Sequence, residues 1–180
     1  MLSGLLHGYQ ATGPTEQADV DRMARLAAAA PDPWSRDLPL HFTGSALVVH
    51  PPTREVLLRW HARLGRWLQV GGHGDPGETD PLRVALREAA EETGLTDLAP
   101  WPDESLRHAV ICDVPESGAE PAHQHADLRF VFATAAPQAV AAENPQSPVR
   151  WVSLGAARHL AADANLRQTL DRLAALSGWR

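Results

Sequence analysis

The first stretch with a clear hydrophobic period is Thr15 to Ala30. Apolar side chains recur there at three- and four-residue spacing, at Val20, Met23, Leu26 and Ala27. Thr15 can cap the N-terminus of a helix, so the pattern predicts one amphipathic helix. Three prolines follow between Pro31 and Pro39, and proline disfavours helix at the residue before it. Residues 1–38 therefore form an N-terminal helix and a Pro-rich loop that precede the main domain, residues 39–180.

The main domain begins with strand-like runs. These are Phe42 to His50, Glu55 to Trp60 and Trp67 to Val70, with turn residues at Pro51 to Arg54 and at Gly65. Short runs rich in β-branched and aromatic residues, joined by tight connections, predict strands that pair antiparallel.

A second helix is predicted from Asp80 to Thr93. Asp80 is a favourable N-cap, Pro81 occupies the first helical position, and Gly94 can end the helix in the left-handed conformation. The apolar stripe of this helix consists of Leu82, Ala85, Leu86 and Ala89.

The second half of the chain also contains predicted strands followed by a predicted helix. Further strands are predicted at His108 to Val114, Leu128 to Ala133 and Val149 to Val152, and the tail from Ala156 to Leu176 has a helical pattern. The order of helices and strands predicts an α+β fold in which helices flank a mixed, largely antiparallel sheet.

Composition narrows the class of protein. The net charge is −6, which argues against nucleic acid as the main partner because nucleic-acid binders neutralise phosphates with basic residues. No apolar run approaches the roughly 18 to 20 residues that span a bilayer. We therefore expect a soluble, cytoplasmic protein with a small-molecule substrate and no membrane. Cys112 is the single cysteine, so an intrachain disulfide and a cysteine-based zinc site are excluded.

The chemistry is concentrated between Gly71 and Leu95. A Gly-rich loop leads there into the helix that carries Glu88, Glu91 and Glu92. At about 100° per residue these three carboxylates lie on one side of the helix. Like charges so close repel each other, and divalent cations such as Mg²⁺ remove the repulsion. The alternative interpretation is a solvated acidic helix face without function.

The spacing around these glutamates resembles a known family motif. Arg87 to Leu95 reads Arg-Glu-Ala-Ala-Glu-Glu-Thr-Gly-Leu, and Gly72 is followed after five residues by Glu78. Both features resemble the Nudix box, so the chain is similar to Nudix hydrolases from about Thr43 to Leu154. The stretch between Glu78 and Arg87 is one residue longer than in the family pattern. We expect the extra residue in the loop at Thr79 and Asp80, because the helix must keep its stripe and its glutamates in register.

The resemblance implies a fold, a cofactor and a reaction. It implies a Nudix-type mixed sheet sandwiched between helices, with the N-terminal helix as an addition. The cofactor would be Mg²⁺ or Mn²⁺, bound by the Gly72 carbonyl and by Glu88, Glu91 and Glu92. Catalytic roles fall on Glu88 and Glu91, and on Arg87, which orients a carboxylate; which residue accepts the proton of the attacking water stays open. The reaction would be hydrolysis of a diphosphate linkage in a nucleoside diphosphate joined to another moiety.

Three residues outside the helix are candidates for substrate binding. His125 and Asp127 share one side of an extended segment with His123, just before a predicted strand, and this set could contact a metal or a phosphate. His73 follows Gly72 and could contact phosphate. The alternative for each is an ordinary polar surface residue.

Two other functions remain open from the sequence. An isoprenyl diphosphate isomerase of the same fold needs a catalytic cysteine near the metal, and Cys112, inside an apolar strand, is more typical of a buried structural cysteine. A non-catalytic nucleotide-sugar sensor of this fold would be expected to lack box glutamates. The N-terminal helix also offers a surface for a homodimer.

Overall fold

The computed structural model describes residues 2–118 and 120–179. The helices are α1 (Leu2–Gly8), α2 (Pro14–Ala29), α3 (Pro81–Thr93), α4 (Leu154–Leu160) and α5 (Ala164–Ala175). The strands are β1 (Leu40–His50), β2 (Glu55–His61), β3 (Arg66–Leu68), β4 (Val70–His73), β5 (Ala99–Pro100), β6 (His108–Val114), β7 (His123–Ala133) and β8 (Val149–Ser153). The predicted α+β class is confirmed.

Strand β1 is the centre of the sheet. One edge pairs in parallel with β7, and the other edge pairs antiparallel with two strands, β4 along residues 43–46 and β2 at residues 49–50. Strands β3 and β8 extend the sheet beyond β2, while β5 and β6 pair with β7. The sheet is therefore mixed, with β1 and β7 as its parallel pair.

The side chains of β1 alternate between two environments. Phe42, Ala46 and Val48 point into the core that α2 and α3 cover, whereas Leu47 and Val49 point into the opposite core, which α4 and α5 cover. On that second face the N-terminal half of β1 carries polar residues, His41, Thr43 and Ser45. One face of the sheet is therefore apolar at one end and polar at the other, and the polar end is free to form a site.

Helix α3 packs directly on β1. A methyl group at Gly44 would lie 2.9 Å from the Ala85 backbone nitrogen and 2.9 Å from the Pro81 carbonyl oxygen, so only glycine permits this approach. Asp80 caps the helix by accepting a hydrogen bond from the Leu82 N–H at 3.1 Å, and Gly94 ends it with φ 67°. The helix is continuous, which confirms that the extra residue lies in the preceding loop.

Several predicted boundaries were wrong. Helix α2 begins at Pro14 with Gly13 before it and has no side-chain cap at Thr15, because proline already fits the first turn. Helix α1 was not predicted. The run Trp67 to Val70 divides at Gln69 into β3 and β4, which pair with different strands. Strand β7 begins at His123, five residues before Leu128, because β1 and β6 pair with its polar half. The tail forms two helices, α4 and α5.

The N-terminal helices pack on the rest of the chain. Leu2, Leu6, Val20 and Met23 are buried in the core that α3 also covers. Arg172 of α5 pairs with Glu16 of α2 at 2.6 Å. The apolar face of α2 is thus used within the chain, and dimerisation through this helix stays a prediction. Among the described residues, no helix combines the length and apolar character needed to cross a membrane.

His108 makes the fold sensitive to acid. The side chain is buried, with Nδ1 2.9 Å from the Thr169 hydroxyl, and burial lowers the pKa of this imidazole from 6.5 to about 3. The unfolded chain takes up this proton near pH 6.5 while the folded chain does not, so stability is lost as the pH falls below 6.5.

We expect His108→Gln to reduce that loss. The difference in unfolding free energy between this variant and the native protein should change by up to about 1.4 kcal/mol per pH unit between pH 6 and 4. Urea denaturation across that range measures it, with exposed His159→Gln as the control. A difference that does not vary with pH would contradict the argument.

Candidate active site

Gly72 and Glu88 meet where β4 ends beside α3. A methyl group at Gly72 would lie 2.6 Å from Oε2 of Glu88, so the absence of a side chain at Gly72 makes room for the carboxylate. The side chain of Glu88 is 16% exposed, and burial raises its pKa although Arg87 opposes the rise. This carboxylate is therefore held against the β4 backbone, not in open solvent.

Arg87 joins the loop to the helix. Its Nη1 donates to Glu88 at 3.0 Å and to Glu91 at 3.0 Å. Its Nη2 donates to Glu78 at 2.9 Å and to the His73 carbonyl at 2.8 Å. The hydrogen bond from Arg87 lowers the pKa of Glu78. Glu78 and Arg87 thus meet despite the extra residue between them.

Glu92 occupies the neighbouring position on the helix face. Its carboxylate accepts a hydrogen bond from the Gly71 N–H at 3.0 Å and pairs with Arg59 at 3.0 Å. Burial raises the pKa of Glu92 to about 7, and the charge of Glu88 adds to the rise. The two carboxylates therefore disfavour each other's ionisation, and a bound cation would remove that penalty.

A cleft of about 450 Å³ opens beside these residues, lined on one side by Arg59, Arg63 and Arg66 and on the other by β1 and β7. Among the described residues, two donors, Nε of Arg59 and Nε of Arg66, are buried in it without a hydrogen-bond partner, as is one acceptor, Oε1 of Gln69. Buried unpaired donors are costly. Such donors in a cleft suit an anionic ligand that pairs with them.

The candidate substrate residues His73, His125 and Asp127 all line this cleft. Burial lowers the pKa of His73 to about 3 and that of His125 to about 4, so both imidazoles are neutral. The Asp127 carboxylate accepts hydrogen bonds from Thr43 at 3.1 Å, Ser45 at 2.8 Å and Arg129 at 2.7 Å. Asp127 therefore organises the polar face of the sheet, and contact of these three residues with substrate stays a prediction.

The Cys112 side chain faces the cleft and not an apolar core. The residue lies on β6 as predicted, with Sγ 3.4 Å from Nη2 of Arg129. The neighbouring strand β7 places a polar residue, His125, opposite it. Burial raises the pKa of the thiol to about 11, so the side chain is a neutral thiol and a poor nucleophile.

Sequence reasoning missed Arg59 and His41. Arg59 is a lone charge within the apolar run of β2, and that contrast was the signal that could have identified it. His41 precedes Phe42, where the strand was expected to start. Its role depends on residues far away in the sequence, so no local pattern marks it.

Comparisons with known proteins bear on the family and the fold of the chain. A family model described as the NUDIX domain matches residues 40–173. A comparison with curated proteins found no match. Among solved structures, a C. elegans Ap4A hydrolase in a binary complex is similar with a TM-score of 0.60 and 21% identity, covering 74% of this chain and 95% of that one. An E. coli dihydroneopterin triphosphate pyrophosphohydrolase has a TM-score of 0.57 and 19% identity, covering 75% and 94%. A NUDIX-family hydrolase from Clostridium perfringens has a TM-score of 0.51 and 22% identity, covering 74% and 97%.

Gly72→Ala tests the contact between β4 and Glu88. The added methyl group must displace the Glu88 carboxylate, so we expect the affinity for Mn²⁺ to fall by roughly 10- to 100-fold, as when ligand positioning is lost. Electron paramagnetic resonance of free Mn²⁺ measures the affinity. Gly155→Ala is the control, because a methyl group there meets nothing within 4 Å. Equal Mn²⁺ affinity in both variants would show that Gly72 does not shape the cation site.

Proposed function

The chain belongs to the Nudix family; from this premise we propose that it is a pyrophosphohydrolase that uses Mg²⁺ or Mn²⁺ to cleave a diphosphate linkage in a nucleoside diphosphate joined to another moiety. The observation that carries the proposal is the group of carboxylates around Arg87, of which Glu88 lies against Gly72, beside a cleft lined by arginines.

The donor set fits a hard divalent cation. Glu88, Glu91 and Glu92 with the Gly72 carbonyl offer oxygen ligands, which Mg²⁺ and Mn²⁺ prefer. Gly72 leaves room for Glu88 in this set, because it has no side chain where the Glu88 carboxylate lies. These residues would hold the cation, which would neutralise charge on phosphate oxygens and lower the pKa of a water molecule.

The protein's own residues would position the glutamates, accept a proton and bind phosphate. Arg87 positions Glu88 and Glu91 through one nitrogen, since Nη1 donates to both. Either of these glutamates could accept the proton of the attacking water. Arg59, Arg63 and Arg66 present guanidinium groups to the cleft, and guanidinium is well suited to phosphate.

The size of the cleft and the names of similar structures support the substrate class. A volume of about 450 Å³ lies within the range of small-molecule sites. Two similar structures are named for the phosphate compounds Ap4A and dihydroneopterin triphosphate. Both names are consistent with cleavage between phosphates in a nucleotide-like compound.

The alternatives receive less support. An isoprenyl diphosphate isomerase would need a reactive cysteine, whereas burial raises the pKa of Cys112 to about 11. A non-catalytic nucleotide-sugar sensor would have no use for the ordered carboxylates at Glu88, Glu91 and Glu92. Hydrolysis therefore accounts for more of the site than either alternative does.

A substrate panel with glutamate variants tests the proposal. Purified protein with Mg²⁺ or Mn²⁺ should release phosphate or a nucleoside monophosphate from nucleotide sugars, dinucleoside polyphosphates, NAD-type or CoA-type compounds. Glu91→Gln and Glu92→Gln should each lower the rate by roughly 10²- to 10⁴-fold, because each removes a cation-binding charge. Exposed Glu104→Gln is the matched control. Full activity in both site variants would defeat the proposal.

Arg87→Lys tests the positioning role separately. Lysine cannot contact Glu78, Glu88 and Glu91 together, because its ammonium is a compact point charge. We expect kcat to fall by about 10- to 100-fold while KM changes little, since substrate is not contacted. Arg83→Lys, on the same helix with its side chain 84% exposed, is the control. A change confined to KM would instead place Arg87 against substrate.

A further inference from the structure

Four histidines converge beside the cleft, and two of them, His73 and His125, line it. One ring nitrogen from each of them lies within 4.8 Å of the corresponding nitrogens of the other three. The four residues are His41, His73, His123 and His125. The ring centroids of His73 and His125 are 4.8 Å apart, and those of His41 and His125 are 5.0 Å apart. No glutamate of the Nudix box belongs to this group, which we call the histidine cluster.

Strand register brings the cluster together. His41 on β1 lies opposite His125 on β7, and His123 precedes His125 by two residues on the same face. On the other edge of β1, His73 of β4 lies opposite Thr43, two residues after His41. Side chains at alternate positions share a face of the sheet. Three neighbouring strands therefore direct imidazoles to one point.

Two of the rings are held in a fixed orientation. Nδ1 of His41 is 3.0 Å from the Leu38 carbonyl oxygen, and Nδ1 of His123 is 2.9 Å from the Pro121 carbonyl oxygen. A carbonyl oxygen only accepts, so each Nδ1 carries a hydrogen, and in the neutral ring the lone pair is then on Nε2. Such hydrogen bonds to the far ring nitrogen are typical of metal-binding histidines.

The Nε2 atoms of the four rings face one another in two close pairs. Nε2 of His41 is 3.1 Å from Nε2 of His73, and Nε2 of His123 is 3.1 Å from Nε2 of His125. Four nitrogens at the corners of a tetrahedron, each about 2.0 to 2.1 Å from a Zn²⁺ ion, are separated by about 3.3 Å. The two close pairs are near this spacing, and small rotations of the rings would bring the pairs to it.

We propose that the histidine cluster binds one transition-metal ion, with Zn²⁺ as the best match, at a site separate from the carboxylates of the Nudix box. Imidazole nitrogen suits Zn²⁺, Cu²⁺ and Ni²⁺, whereas Mg²⁺ and Mn²⁺ prefer oxygen. Four protein ligands complete a tetrahedral zinc site and leave no position for substrate, which is characteristic of structural zinc. His73 and His125 would then bind the ion and not the substrate, and Asp127 would remain as the candidate substrate residue of that set.

The charges around the cluster are mixed. The Glu120 carboxylate is 3.8 Å from Nε2 of His123, and the negative charge of Asp127 acts on His125. Arg36 opposes a cation, since its positive charge acts on His41 and His73. The imidazoles themselves are uncharged ligands, so the two carboxylates supply the nearest negative charge for a bound ion.

A metal here would fasten the catalytic loop to the sheet. The His73 side chain belongs to the cluster, while the His73 carbonyl accepts from Arg87 at 2.8 Å. Gly72, the preceding residue, lies against Glu88. The ion would tie the end of β4 to β1 and β7, and would thereby hold this backbone in place for the carboxylate site.

Zinc retention by the intact chain tests the proposal. Protein stripped with a chelator is dialysed against Zn²⁺ in excess Mg²⁺, so that the carboxylates are occupied by Mg²⁺, and bound zinc is measured by mass spectrometry. We expect one zinc per chain, an increase in Tm, and, with Co²⁺ as the probe, the intense visible absorption of a tetrahedral site. His123→Gln and His125→Gln should each weaken zinc binding by roughly 100-fold or more, because losing a ligand costs at least as much as losing its outer support.

The controls separate the two sites. His159→Gln, an exposed histidine outside the cluster, should bind zinc like the native protein, and Glu91→Gln should keep the zinc while losing hydrolysis. The proposal fails if the native chain retains no zinc, because the imidazoles then only hydrogen-bond in pairs. It also fails if zinc is lost from the Glu91→Gln variant or retained equally by the histidine variants. Neither result decides whether the chain hydrolyses a diphosphate, which the substrate panel measures independently.

Discussion

The candidate active site depends on the hydrogen bonds that the Arg87 guanidinium donates. The guanidinium donates to carboxylates from the loop and from helix α3, and also to a backbone carbonyl at the end of β4. Glu78, Glu88 and Glu91 receive these hydrogen bonds, and Asp75 lies 3.7 Å away. One positive charge cannot neutralise four carboxylates, so the group keeps an excess of negative charge. A divalent cation would balance this excess, so the arrangement that braces the loop would also favour metal binding.

This arrangement requires that α3 lies close to the sheet. Gly44 on β1 allows the helix backbone to approach, and Gly72 on β4 leaves room for Glu88. The polar half of β1 then faces the cleft, with Thr43 and Ser45 donating to the buried carboxylate of Asp127. The two glycines thus bring α3 and Glu88 against the sheet, while the polar half of β1 lines a cleft that Glu92 and three arginines also line.

His73 connects the active site with the histidine cluster. Its backbone belongs to the Arg87 network and its side chain belongs to the cluster, so a displacement of β4 would disturb both. The carboxylate oxygens lie on the helix side of β4, whereas the nitrogens of the histidine cluster lie over the sheet. Because hard and borderline cations prefer different donors, the two sites would select different metals despite being neighbours.

The chemistry of α3 was predictable because it is local. Helical periodicity places Glu88, Glu91 and Glu92 on one face, and Asp80 and Gly94 define the ends of the helix, so the extra residue had to lie in the loop. Fold class and family followed from the same local patterns. The contact between Glu78 and Arg87 was open from the sequence, because it depends on the path of that loop.

Other features depend on pairing between distant residues, and only the tertiary structure decided them. Strand β7 extends to His123 because β1 and β6 satisfy its backbone, and β3 separates from β4 because they pair with different strands. Arg59 meets Glu92, and His41 meets His73 and His125, across 32 residues or more. A local pattern records which side of a strand a residue occupies, but not which strand lies beside it. The register of the assembled sheet therefore created the cleft and the histidine cluster.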